Sequence, residues 1–220
     1  YEIPYWASAF LSVFTFVVIV NAFNFIDGLD GLAAGIGFII AVCFGIWFAL
    51  CGGLALASIA FALAGSLLGF LVYNFSPAKI FMGDSGSLFL GLILCTLGMK
   101  LIELNSAEVP SYLVNISRPL FVMGVFAYPL IDILRITIIR IIRGTSPFAA
   151  DRNHIHHVLI DIGLGHRKSS TLLYLYTLTI MGLVFLVKGL SPTLAFLIVG
   201  GVALFVLQIP ILLRHRLYKN

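Results

Sequence analysis

The chain has 220 residues, of which 61% are apolar and 10% charged, and its mean hydropathy is +1.12. No water-soluble globular domain carries that composition, so lipid is the expected solvent. A net charge of +4 is too small to point to a nucleic-acid partner; in a membrane chain the placement of Lys and Arg says more than their sum.

The sequence opens at Tyr1 with Glu2, Pro4 and Trp6 and without a Met, a basic leader or an Ala-x-Ala site. It is therefore read as showing no signal or targeting peptide and as lacking sequence upstream. About seven apolar stretches follow, separated by Gly, Pro, Asn or charged residues, each close to the roughly 20 residues needed to cross a bilayer. They run from Tyr5 to Val20, Leu32 to Leu50, Leu54 to Phe75, Leu88 to Ile102, Pro119 to Ile142, Thr171 to Val187 and Pro192 to Leu213. Continuous, non-alternating apolar runs exclude a β-barrel. The expected fold is all-α, a polytopic transmembrane helix bundle forming one domain over residues 1–220, with no internal repeat. Cys43, Cys51 and Cys95 sit in apolar runs without Cys-x-x-Cys spacing and read as packing residues.

Alternation of the spans puts three loops, Asn21 to Gly31, Ser76 to Ser87 and Arg143 to Ser170, on one side together with the C-terminal tail. That side carries Lys79, Arg140, Arg143, Arg152, Arg167, Lys168, Arg214, Arg216 and Lys219, against Lys100, Arg118 and Lys188 opposite. The excess predicts a cytoplasmic face. Asp27, Asp30, Asp84, His154, His156 and His157 fall on the same side.

Three constellations there carry chemistry. In Asn21 to Leu32, polar residues recur every third position, so on a continued helix Asn24, Asp27 and Asp30 would share one broad face. Neighbouring carboxylates repel unless a cation or shared proton neutralises them. Gly28, Gly31 and Gly35 remove side chains beside the acids, allowing another helix or a substrate to approach. The plainer reading is a solvated helix end with Asp caps, against which stands the functional default for ionisable residues at membrane depth.

In Tyr73 to Ser87, Asp84 falls where the fourth span begins. A helix start with Ser85 and Ser87 suits phosphate, and Asp84 suits Mg²⁺, or serves only as the helix cap. Phe81 and Asn74 would stack on and hydrogen-bond a nucleobase, although an interfacial aromatic is the commoner role.

The third constellation, Pro147 to His157, gathers Arg152, His154, His156 and His157, which suit a diphosphate or proton transfer. A zinc site is the weaker reading, because the spacing lacks an i, i+4 histidine pair and a nearby cysteine. An ordinary basic loop attracting anionic lipid accounts for Arg167 and Lys168. Asp132 and Arg135, three apart inside the fifth span, are read as a structural pair.

The three segments Asn-Ala-Phe-Asn-Phe-Ile-Asp-Gly-Leu-Asp-Gly-Leu at Asn21 to Leu32, Phe-Met-Gly-Asp-Ser-Gly-Ser at Phe81 to Ser87 and Asp-Arg-Asn-His-Ile-His-His at Asp151 to His157 resemble the polyprenyl-phosphate N-acetylhexosamine-1-phosphate transferases. The third segment is more similar to the UDP-GlcNAc branch than to the UDP-MurNAc-pentapeptide branch of peptidoglycan synthesis. The resemblance implies Mg²⁺-dependent transfer, with Mn²⁺ as a substitute, of GlcNAc-1-phosphate from UDP-GlcNAc to undecaprenyl phosphate, with release of UMP. It implies a multi-pass protein of the inner (plasma) membrane with membrane lipid around it, starting a lipid-linked cell-envelope glycan, and leaves homodimerisation open. By matching position, Asp84 would hold the metal, Asp27 and Asp30 would be catalytic, and Asn24 would support them. Asn74 and Phe81 would face uridine, and Arg152, His154, His156 and His157 the diphosphate or sugar. The family's adjacent Asp-Asp pair is missing from this sequence, and with about ten or eleven spans usual in the family, roughly four are expected upstream.

Two other classes compete. An ion-coupled transporter would use intramembrane acids and glycine-broken helices, but nearer mid-bilayer than these. A CDP-alcohol phosphotransferase is echoed by Asp30-Gly31-Leu32-Ala33-Ala34, without the Arg its signature requires.

Overall fold

The structure is a computed structural model, and it describes residues 3–146 and 153–217. All regular structure among these is helical: α1 Tyr5–Ile26, α2 Leu32–Leu50, α3 Leu54–Asn74, α4 Gly83–Glu103, a 3₁₀ turn Ser106–Glu108, α5 Arg118–Val125, α6 Ala127–Ile142, α7 Ile155–Asp161, α8 His166–Leu186 and α9 Pro192–Leu217. Among the described residues six of these are long and apolar enough to cross a membrane, or seven when the bent pair α5 and α6 is counted as one broken span. The chain is a multi-pass membrane protein.

The central span is α2. It packs on α1, α3, α4 and α8, and its Ile36, Ile40, Phe44 and Phe48 are wholly buried. Around it α1 lies against α4 and α6, while α8 and α9 close on α5. A knot of aromatic rings, Phe23, Phe44, Phe121 and Phe126, joins α1, α2, α5 and the bend after it. The outer surfaces of α1, α3 and α9 stay apolar and open, with Trp6, Phe10, Leu68, Val72 and Phe205 among the exposed side chains, as expected of helices solvated by lipid.

Several boundaries differ from the sequence reading, among them the start of α8 at His166 in place of Thr171 and the end of α9 at Leu217 in place of Leu213. Helix α1 continues past Val20 to Ile26, because the asparagines are accommodated on it: Asn21 donates back to the Val17 carbonyl at 2.7 Å. Helix α4 starts five residues earlier than Leu88, at Gly83. The expected fifth span breaks in two at Phe126, with a 68° bend. Pro129 explains the break: it has no N–H to give the carbonyl four residues back, at Val125, and its ring crowds that carbonyl. The helix therefore ends at Val125 and restarts with Pro129 in its first turn, where no donor is needed.

Candidate active site at the motif end

The three polar loops meet at one end of the bundle, as alternation of the spans required. The contact that organises it is between α1 and α4. The Asn24 amide donates to the Asp84 carboxylate at 3.1 Å and to the Ser87 hydroxyl at 2.9 Å. Ser87 is buried and donates in turn to the carbonyl of Gly83 at 3.1 Å. Close approach of the helices makes this possible: a Cβ on Gly91 would lie 2.8 Å from the Cα of Val20.

Asp84 is the second residue of α4; the position before the helix is Met82, and no side chain caps it. Its carboxylate is therefore not spent as a cap and stands exposed, oriented by Asn24. Asp27 follows the last residue of α1. Burial, and secondarily the negative charge of Asp84, push its carboxyl up to about 6. A cation at this place would relieve that repulsion.

Asn24, Asp27 and Asp30 do not share one helix face, because α1 ends at Ile26 and the chain turns. Asp30 points into a different network. It accepts from the Ala78 amide at 3.2 Å and lies 3.4 Å from Nδ1 of His166, while its carbonyl accepts from Ser170 at 2.9 Å. Gly31, at φ +75°, takes a conformation that other residues resist. Its N–H donates to Asn74 Oδ1 at 3.0 Å, and its carbonyl accepts from the Tyr174 hydroxyl. The Asn74 amide nitrogen donates to the Ile80 carbonyl at 2.8 Å. Buried Asn74 thus has both ends of its amide engaged, one of them at the residue before Phe81, which is 79% exposed.

The histidines divide similarly. His154 is buried and lies 2.9 Å through Nδ1 from Asp132 Oδ2. A carboxylate only accepts, so that nitrogen carries the proton. Asp132 also accepts from the Ile155 amide at 2.9 Å. The expected Asp132–Arg135 pair is present at 4.0 Å, and Arg135 also donates to the Asn153 carbonyl. Both residues tie the loop to α6, since Asp132 finds nearer donors across the fold than along its helix.

His156 is 1% exposed. It sits 3.5 Å from the Tyr128 hydroxyl and against Gly28, where a Cβ would come within 2.6 Å of its Nε2. Burial holds its pKa down at about 3, so it is neutral. His157 is half-buried with its ring 4.3 Å from that of His156. Arg152 and the rest of residues 147–152 lie outside the described residues. What approaches the glycines is protein: His156 at Gly28 and Tyr174 at Gly31 and Gly35. Sequence reasoning missed Tyr128, His166, Ser170 and Tyr174, which carry no motif and lie far along the chain from their partners.

Among the described residues no three His, Cys, Asp or Glu gather as a metal group. Two carboxylates, Asp27 and Asp84, remain as oxygen donors, with the Ser87 hydroxyl linked to Asp84 through the Asn24 amide nitrogen. That all-oxygen, sparsely carboxylated set fits a hard ion of the Mg²⁺ type, which fills its other positions with water or substrate phosphate.

Residues 1–102 match the model of "Glycosyl transferase family 4", the stretch that holds Asn24, Asp27, Asp30 and Asp84. This match covers a little under half of the chain. Beyond it, similarity to individual proteins covers about three quarters of the chain. It is 41% identical over 184 residues to the decaprenyl-phosphate N-acetylglucosaminephosphotransferase of Mycobacterium leprae (77% of this chain, 46% of that protein). It is 42% identical over 171 residues to the probable undecaprenyl-phosphate N-acetylglucosaminyl 1-phosphate transferase of Bacillus subtilis (77% and 45%). To the undecaprenyl-phosphate alpha-N-acetylglucosaminyl 1-phosphate transferase of Escherichia coli it is 32% identical over 172 residues (76% and 44%). The chain spans just under half the length of these curated relatives. The family 4 region thus contributes α1 to α4, and with them both carboxylates of the oxygen-donor set.

Proposed function

We propose that the whole protein transfers N-acetylglucosamine 1-phosphate from UDP-GlcNAc to a polyprenyl phosphate such as undecaprenyl phosphate. The reaction would release UMP at the cytoplasmic face of the plasma membrane and start a lipid-linked envelope glycan. The observation that carries this reading is the Asn24 bridge to Asp84 and Ser87. It aims an uncapped carboxylate out of the motif end beside Asp27, where two phosphate-bearing substrates can meet. The names of the relatives support the sugar and the lipid class.

In the proposed step an oxygen of the lipid phosphate bonds to the sugar-linked phosphorus. The bond from that phosphorus to the oxygen shared with UMP breaks, and UMP leaves with the electron pair. Such transfers depend on alignment and charge neutralisation more than on covalent participation by the protein. Asp84, oriented by Asn24, would hold Mg²⁺, which when bound supplies neutralisation of the diphosphate. Asp27, beside Asp84, would take the last proton of the lipid phosphate as general base. Asp30 and Asn74 hold the two loops in register, and His154 and His156 support the segment that carries His157.

The test is release of UMP from UDP-GlcNAc in membranes holding undecaprenyl phosphate, with the full-length gene product, with and without Mg²⁺. Metal-dependent release that falls by about a hundredfold or more in Asp84→Ala is expected. No release from intact, folded protein would reject the transferase reading.

A further inference from the structure

Helices α7, α8 and α9 leave between them an apolar groove of about 340 Å³. Its floor includes Leu159, which is buried; its rim is formed by Leu172 and Leu175 of α8 and Ile209 and Leu213 of α9, between 42% and 59% exposed. The groove therefore opens outward. Its lining includes none of Asn24, Asp27 and Asp84, and α7, whose His156 packs on Gly28, belongs to both places as the wall between them.

The helical register puts positive charge at one end of this groove. Lys168 precedes Leu172 by four residues and Leu175 by seven, so it lies on the same face of α8, one turn nearer the motif end. Arg216 follows Leu213 by three and Ile209 by seven, on the corresponding side of α9. Both are exposed. The nearest carboxylate on α7, Asp161, is already held by Arg214 at 3.1 Å, so it does not cancel them.

We propose that this groove binds one anionic phospholipid, with an acyl chain along the apolar rim and the phosphate between Lys168 and Arg216. An open apolar trough ending at two long, flexible cations complements an amphiphile with a negative head. A neutral zwitterionic lipid would fill the trough without using the charges. A polyprenyl phosphate has the same two parts, but the groove that would hold its chain is lined by none of Asn24, Asp27 and Asp84.

Native mass spectrometry of the full-length protein in detergent tests this, with phosphatidylglycerol, phosphatidylcholine and undecaprenyl phosphate added as separate probes. Phosphatidylglycerol should be retained in preference to phosphatidylcholine. The double variant Lys168→Gln, Arg216→Gln should lose that preference by roughly tenfold, while Lys168→Arg, Arg216→Lys keeps it. Thr179→Phe, which fills the groove from α8, should reduce retention of both phospholipids. Equal retention of the two lipids, or an unchanged preference in the charge-neutral variant with an unchanged thermal midpoint, would overturn the assignment. Displacement of phosphatidylglycerol by undecaprenyl phosphate would overturn it too, giving the groove to the acceptor.

Discussion

His156 was read from its neighbours in sequence as suited to a diphosphate or to proton transfer, and the fold encloses it between Tyr128 and Gly28. Its folded pKa is held near 3 against an ordinary value of 6.5, chiefly by loss of solvent. The linkage follows. Below about pH 6.5 the unfolded chain takes up a proton that the folded chain refuses. The contribution of neutral His156 is therefore complete above that pH and is lost as pH falls, at about 1.4 kcal/mol per pH unit. Thermal unfolding in detergent should show midpoints dropping from pH 7 to pH 5, with a shallower drop in His156→Gln. Parallel pH profiles for the two proteins would show that the proton is taken up elsewhere. Asp27 is displaced in the opposite way, its carboxyl raised by burial and by Asp84.

At the scale of helices, the site depends on how closely α1 and α4 approach. The absence of a side chain at Gly91 brings its Cα trace against Val20, one turn of α1 before Asn24 and one turn of α4 after Ser87. Gly91→Val should force the pair apart and cost about 1–3 kcal/mol by overpacking. It should lower both the thermal midpoint and UMP release, because Asn24 would lose Ser87. Gly69→Val on α3, where nothing lies within 4 Å of an added Cβ, serves as the control. Equal effects of the two substitutions would mean that the α1–α4 approach does not matter. The break between α5 and α6 belongs to this scale too. A hydropathy window reads Pro119 to Ile142 as one span, since Pro129 is apolar; only its missing N–H and its ring, which are properties of the backbone ladder, divide it.

Across the molecule, Asp30 joins parts that hydropathy treats as separate: the α1–α2 turn, the α3–α4 loop through Ala78 and the start of α8 through His166. Asp30→Ala leaves the Ala78 donor without its partner and should cost about 1–3 kcal/mol, read as a lowered thermal midpoint. Asp30→Asn keeps an acceptor for that amide and should cost less. If both variants melt like the parent while UMP release collapses, Asp30 acts on substrate and not on the assembly of the loops.

The sequence by itself determined the solvent, the number of spans, the end at which the three polar loops gather and the residues worth watching there. These follow from local quantities: the length of an apolar run, the side on which a loop must fall, and the chemistry of a motif. Which watched residue meets which was decided only by the tertiary structure. Asn24 meets Ser87 across 63 residues, Gly31 meets Asn74 across 43, and Tyr174 reaches Gly31 across 143. Spans that are apolar on nearly every side carry no face that names their neighbour. Hydrogen-bond partners and the burial that shifts a carboxyl or an imidazole therefore exist only once the helices have packed.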